Sequence, residues 1–302
     1  MMQLVIIGFG YSAAAIADEI RPRAGAIAVT VRSEAKASAL RAAGWDAHVF
    51  GGGTIPTGLQ DRLAGATHLL VSAPPDEAGD PLLAAGLSAL AMPALARIAY
   101  LSTVGVYGDH QGGWVDEDTA PQPVSPRSVQ RLAAEQGWLD FAFARRAEPG
   151  IFRLSGIYGP GRSAIENLRQ GTARRLVKPG QVFNRIHVGD IAGAVTVALP
   201  GTGPLGILNL TDDEPCPPQD VVAHAAGLLG IAPPPEQPFE TAELSPMARS
   251  FYGENKRVSN ARIKAQLGYA FRFPTYREGI RACLDAAASP AGQAAWRPAS
   301  AP

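Results

Sequence analysis

The apolar run Leu4-Val5-Ile6-Ile7 opens directly into Gly8-Phe9-Gly10-Tyr11-Ser12-Ala13 and then into an alanine-rich stretch, and few folds accommodate that succession. A strand that is apolar at nearly every position belongs inside a parallel sheet covered on both faces. Gly8 permits the tight turn that follows and Gly10 lets a ligand approach the backbone, while the small Ala13 stands where helix and strand pack closest. The first N–H groups of a helix have no partner within it and its dipole favours negative charge, so this turn can seat a pyrophosphate. Glycine-rich turns are common, and a purely structural turn is the plain alternative. The strand before it, the helix after it and a βαβ length of about 30 residues favour a dinucleotide held by Gly8, Phe9, Gly10, Tyr11 and Ser12.

Short apolar runs alternate with stretches of helical period along the next two hundred residues. Strands are expected at Leu4–Ile7, Ile27–Val31, Ala47–Phe50, His68–Ser72, Ile98–Ser102, Gly150–Leu154 and Ile207–Leu210, and helices at 12–21, 34–43, 58–64, 81–96, 126–146 and 189–199. That alternation is the pattern of an α/β fold, a Rossmann-type doubly wound parallel sheet. Beyond about residue 156 the pattern loosens into proline clusters at Pro215-Cys216-Pro217-Pro218 and Pro233-Pro234-Pro235. The expected organisation is a dinucleotide-binding domain over 1–155 that also receives 186–212, and a smaller, interleaved C-terminal substrate domain over 156–285. The Ala-, Pro- and Ser-rich stretch 286–302 reads as a mobile tail.

Charge narrows the partners. Twenty-seven basic residues balance 27 acidic ones, so no global field draws nucleic acid or an anionic membrane, and any anion site must be local. Cys216 and Cys283, the only cysteines, have neither metal-ligand spacing nor a disulfide framework, which fits packing residues in a reducing compartment and no metal. The N-terminus lacks the pattern of a signal peptide and no apolar run is long enough to span a bilayer, so a cytoplasmic location and no membrane partner are expected. The second strand ends in Val31-Arg32-Ser33, where an acidic residue ordinarily binds the ribose 2′-hydroxyl. Arg32 and Ser33 instead suit a 2′-phosphate and favour NADP(H) over NAD(H). The competing reading makes Arg32 a solvated helix-start residue, with Glu34 close by. Ala73 and Pro74 after the fourth strand and Ser102 on the fifth complete the expected cofactor contacts.

Several later segments together resemble the extended short-chain dehydrogenase/reductase family of the epimerase/dehydratase type. Leu101-Ser102-Thr103-Val104-Gly105-Val106-Tyr107-Gly108 resembles its strand and loop bearing the catalytic Ser/Thr, and Asp116-Glu117-Asp118-Thr119-Ala120-Pro121 its acidic stretch. Arg153-Leu154-Ser155-Gly156-Ile157-Tyr158-Gly159-Pro160-Gly161 resembles the sixth-strand motif, and Phe183-Asn184-Arg185-Ile186-His187-Val188-Gly189-Asp190-Ile191-Ala192 the segment leading to the next helix. Asn209-Leu210 and Lys264-Ala265-Gln266-Leu267-Gly268-Tyr269 complete the series. The family carries Tyr-x-x-x-Lys on the helix after the acidic stretch, but here those positions are Arg127 and Arg131. No tyrosine occurs from 108 to 157 and no lysine from 37 to 177. The pattern is most similar to the family's atypical, YeeZ-like branch.

The missing pair bears on chemistry. General acid–base help of that kind is worth roughly 10² to 10⁴ in rate, and arginine gives up no proton near neutrality. Thr103 retains a hydroxyl that can polarise a carbonyl, and Tyr107 is the nearest phenol in sequence, so these two are the candidate catalytic residues. Tyr158 and His187 are weaker candidates, with packing roles as alternatives; Asp190 is read as a helix-start residue. Tyr252-x-x-x-Lys256 is read as coincidence. The resemblance places Arg162, Arg175, Arg185 and Lys178 where the family builds its substrate pocket, and Arg127, Arg131, Arg162 and Arg185 are the candidate substrate residues. The leading expectation is an NAD(P)-dependent oxidoreductase or epimerase-like enzyme for a small polar or anionic substrate. The rival is a non-catalytic dinucleotide-binding sensor or scaffold. A homodimer through the helices at 81–96 and 126–146 is a further expectation that the resemblance implies.

Overall fold

The computed structural model of the protein describes residues 1–288. The seven strands are β1 Met2–Ile7, β2 Ala24–Val31, β3 Asp46–Val49, β4 His68–Val71, β5 Arg97–Thr103, β6 Glu148–Leu154 and β7 Gly206–Leu210. They form one parallel sheet in the order β7-β6-β5-β4-β1-β2-β3. The order reverses beside β1, which pairs with β2 on one side and with β4 on the other. In an open α/β sheet the crevice at such a reversal is where ligands bind. Every strand expected from the alternation is present.

The chain divides into two compact units. Met1–Val106, Pro123–Arg153 and Ile191–Leu208 make up the first, and Tyr107–Gln122, Leu154–Asp190 and the chain from Asn209 onward make up the second. In the first unit, Val5, Ile7, Leu69, Val71, Ile98 and Tyr100 of the strands pack with Leu59, Leu63, Trp138 and Phe141 of the helices in one core cluster. The long helix Pro126–Arg145 shows why: Ala134, Trp138, Phe141 and Ala142 are buried at spacings of four, three and one, a stripe along one face. It starts on the Ser125 hydroxyl, which accepts the Ser128 amide at 3.2 Å, with Pro126 in the first turn.

The helix expected over 81–96 is not continuous. Asp80 caps a single turn, Pro81–Ala84, and Gly86 at φ +84° then redirects the chain into a 3₁₀ turn, Leu87–Ala89, and extended backbone at Leu90. Helix-favouring leucines and alanines lose here to a left-handed glycine that the helix cannot contain.

The second unit is built from short pieces: two-stranded ladders such as Arg185–His187 on Gly156–Tyr158, and the helices Ala164–Arg169, Pro218–Leu229 and Tyr276–Ala288. Its core gathers Tyr158, Ile165, Val221, Ala225, Tyr276 and Ile280, and both free cysteines are buried in it. The expected tail 286–302 begins inside the last of these helices, and its remainder, 289–302, lies outside the described residues. Among the described residues no helix is long and apolar enough to cross a membrane, and no cluster of His, Cys, Asp and Glu stands ready for a metal ion.

Candidate functional site

At the end of β1 the backbone is held from several sides. Gly8 has φ +87°, and a Cβ there would fall 2.7 Å from the amide nitrogen of Ala73, which follows β4 and donates to the Ile7 carbonyl at 3.0 Å. The Gly8 amide donates to Thr30 Oγ1 at 2.9 Å and the Phe9 amide to the Thr30 carbonyl at 2.8 Å, so β2 fixes the turn. Gly10 is the N-cap of the helix Tyr11–Ile20, no side chain caps that helix, and a Cβ on Gly10 would meet nothing within 4 Å. Ala13 is fully buried where the helix meets the sheet. The turn is therefore tight at Gly8 and open at Gly10, where the helix that starts has no side-chain cap, and it fits a pyrophosphate.

Arg32 is exposed just past β2 and makes no hydrogen bond or ion pair among the described residues. Glu34, the nearby acid, is instead bound by Arg41 at 2.6 Å. Ser33 caps the next helix by accepting the Lys36 amide, which leaves its own proton to donate. Lys36 reaches back to the Phe9 carbonyl at 3.1 Å, and Phe9 packs against Trp45. Lys36 is a residue that sequence reasoning missed; a lysine on the first helical turn after Arg32 was the available signal. Pro74 is exposed beside the turn.

Ser102 has its hydroxyl engaged within the protein. Its hydroxyl donates to Glu135, which also takes a bidentate ion pair from Arg153 at 2.7 Å, and all three side chains are buried. Ser102 thus belongs, through its hydroxyl, to a buried network tying β5 and β6 to the long helix. Thr103, half-buried at the strand end, accepts the Gly105 amide at 3.1 Å and keeps its own proton for a ligand. A Cβ on Gly105 would lie 2.8 Å from Ser128 Oγ and 3.4 Å from Thr103 Oγ1, so two hydroxyls flank this glycine. Ser125 Oγ extends the row, donating to Ser128 Oγ at 2.9 Å. Ser128 escaped the sequence reading because its nearness to Thr103 arises only when helix and strand pack.

Arg127 and Arg131 separate. Arg127 is exposed on the first turn of the long helix, whereas Arg131 donates from Nη1 to the Tyr100 hydroxyl and the Leu101 carbonyl, each at 3.0 Å. That engagement anchors Arg131 on β5. The Tyr100 hydroxyl it binds is pushed well above its ordinary range by burial.

In the second unit, Tyr107 is fully buried and its hydroxyl donates to Asn209 Oδ1 at 2.8 Å, the geometry of a packed loop aromatic. Tyr158 is buried, and desolvation lifts its phenol well above the ordinary range. Burial lowers the His187 imidazole to about 4; its Nδ1 accepts the Gly189 amide at 3.0 Å, and the ring lies 3.9 Å from that of Phe273. Such an imidazole stays neutral at pH 7. Asp190, on the first turn of its helix, binds the Tyr269 hydroxyl and the amides of Arg272 and Phe273. The Tyr252–Lys256 string is structural: Tyr252 stacks on Phe239, and Lys256 is tied to the Gly108 carbonyl and to Glu254.

Two of the four basic residues expected at a substrate pocket come together. Arg162 and Arg185 line one cavity of about 420 Å³ in the second unit, with Tyr158, Glu166 and Ile280. Arg175 is held instead by the Pro234 carbonyl and Glu236, and Lys178 by the Tyr252 carbonyl.

The NAD dependent epimerase/dehydratase family matches residues 81–209. A solved structure of a functionally unknown conserved protein from Silicibacter pomeroyi is 44% identical, covers 93% of this chain and 98% of its own, and has a TM-score of 0.85. Protein YeeZ of Escherichia coli K12 is 27% identical over 286 residues, 91% of this chain and 97% of that protein. The human epimerase family protein SDR39U1, solved with NADPH, shares the fold at a TM-score of 0.72 and 17% identity, over 93% of this chain and 99% of its own. This chain is an atypical short-chain dehydrogenase/reductase-like protein, similar to YeeZ and matching the NAD dependent epimerase/dehydratase family over residues 81–209.

Proposed function

We propose that the chain is an NADP(H)-dependent oxidoreductase or epimerase-like enzyme acting on a small polar or anionic substrate. The observation that carries the reading is the turn at Gly8 and Gly10, open in front of an uncapped helix, with the unpartnered Arg32 at the end of the neighbouring strand. Bound there, the dinucleotide supplies or accepts a hydride. The amides at the start of the helix Tyr11–Ile20 hold its pyrophosphate, and Arg32, Ser33 and Lys36 hold the 2′-phosphate. A protein of the same fold, human SDR39U1, is solved with NADPH. Thr103, with its proton free, donates to a carbonyl oxygen of the substrate, and Ser128 and Ser125 extend a hydroxyl row behind it.

Titration of NADPH and NADH, read by cofactor fluorescence, tests the cofactor half. NADPH is expected to bind more tightly, and Arg32→Ala to weaken NADPH by about tenfold or more while sparing NADH. Equal or tighter binding of NADH removes this role for Arg32. NADPH oxidation over a panel of carbonyl compounds tests the catalytic half, with a fall of about tenfold or more in kcat expected for Thr103→Ala. A second reading, a dinucleotide-binding sensor or scaffold, is favoured by Arg127 and Arg131 in place of the family's tyrosine and lysine. Tight NADPH binding with no turnover on any carbonyl, joined to a change in affinity for a protein partner, selects that reading.

A further inference from the structure

We infer that the cavity of the second unit is a carboxylate site, built for a small monoanion with an apolar body. The proposal deepens the oxidoreductase reading by naming its substrate class, and it rests on that reading only for what becomes of the ligand.

Arg185 is fixed before any ligand arrives. Its Nη1 points at the Phe183 carbonyl (3.1 Å), the Cys216 carbonyl (3.3 Å) and Cys216 Sγ (3.0 Å). Its Nε and Nη2 make no hydrogen bond among the described residues, and neither is sealed from solvent. That edge of a guanidinium is a two-donor fork that matches the two oxygens of a carboxylate. A side chain already immobilised through its other nitrogen loses little freedom on binding. The buried acid that Arg185 acts on, Asp212, does not cancel the charge: burial lifts its carboxyl to about 8, so it is largely protonated at neutral pH.

The remaining walls select what the carboxylate is attached to. Ile157, Val221, Val222 and Ile280 give an apolar lining, and the Tyr158 ring adds to it. Glu166 fixes the limit on charge. Its carboxylate accepts the Ser163 hydroxyl and the Gly161 amide and lines the same cavity, so a second negative charge on the ligand meets repulsion. Arg162 stands at the exposed side of the cavity as a second cation. One net positive charge from two arginines and one glutamate suits a monoanion better than a phosphate dianion.

The probe is 3-phenylpropanoate, compared by calorimetry with its amide, 3-phenylpropanamide, and with phenylethyl phosphate, on the full chain with and without NADPH. The carboxylate is expected to bind at least about tenfold more tightly than the amide and more tightly than the phosphate. Arg185→Lys, which keeps the charge and loses the fork, is expected to abolish most of the preference for carboxylate over amide, and Glu166→Gln to improve phosphate binding relative to carboxylate. No carboxylate binding, equal binding of the amide, or tighter binding of the phosphate overturns the proposal; so does an undiminished preference in Arg185→Lys. The wild-type comparison needs no variant, so misfolding of Arg185→Lys leaves the proposal decidable. Loss of carboxylate binding with NADPH titration intact refutes this inference alone, whereas carboxylate binding without NADPH binding refutes the oxidoreductase reading alone.

Discussion

Gly8 and Gly10 are two residues apart, yet their environments assign them opposite duties. Gly8 has a positive φ and a neighbouring backbone where a side chain would start, so Gly8→Ala strains the chain and displaces Ala73. A destabilisation of roughly 1–3 kcal/mol is expected for that variant. Gly10 has an extended conformation that any residue adopts and empty space in front of it. Gly10→Val is therefore expected to cost no more than about 1 kcal/mol, the penalty of a poorer N-cap residue with no steric clash behind it, and to lose NADPH affinity because its side chain occupies the cradle. Denaturant unfolding and cofactor titration of both variants give the two readouts. Unchanged NADPH affinity in Gly10→Val would show that the pyrophosphate sits elsewhere.

Elements were legible in the sequence wherever a period was long enough to read. The strands of the sheet announce themselves as apolar runs, and the helix Pro126–Arg145 by its stripe and its Ser125-Pro126 start. The two- and three-residue strands of the second unit have no period at all, and the interval 81–96 misleads because composition favours helix while Gly86 decides against it. Also illegible was the bond between elements made by Ser102, Glu135 and Arg153, since a glutamate on a helix and an arginine on a strand give no local sign of pairing. That network is sealed from water, so removing one partner leaves an uncompensated buried charge. Glu135→Leu is expected to cost about 3–5 kcal/mol in denaturant unfolding. The double variant Glu135→Leu with Arg153→Met is expected to recover much of the loss, because a buried ion pair replaced by apolar groups of similar volume is often neutral or better. A double variant no more stable than Glu135→Leu alone would mean that the network holds the helix by geometry that apolar packing cannot replace.

At the scale of the whole molecule, the site was legible where the chain itself is the ligand surface and illegible where distant segments converge. The turn at Gly8 could be read directly, but the fork of Arg185 depends on Phe183 and Cys216 turning their carbonyls toward it, 31 residues apart in the second case. The same convergence buries ionisable groups, and stability should record it as a dependence on pH. Desolvation holds the His187 imidazole at about 4, below its unfolded value of 6.5, so the unfolded chain takes up a proton first as the pH falls. His187 therefore contributes stability above pH 6.5 that is lost as the pH drops toward 4, roughly 3 kcal/mol at most. Asp212 has the opposite sign. Its folded carboxyl titrates near 8 against an unfolded value of 3.8, so its contribution is complete below 3.8 and is lost as the pH rises through 8. The two oppose one another between pH 4 and 6.5, and between 6.5 and 8 Asp212 acts without His187. Asp212→Asn keeps an oxygen for the Glu214 amide, which Asp212 Oδ1 accepts at 3.2 Å, and puts an amide where Oδ2 now has no partner. Relative to the parent protein this variant is expected to gain stability with rising pH, by up to about 1.4 kcal/mol per pH unit across the window, as read by urea unfolding at pH 5, 6.5 and 8. Parallel stability curves for the two proteins would place the Asp212 carboxyl at an ordinary value and return its charge to Arg185.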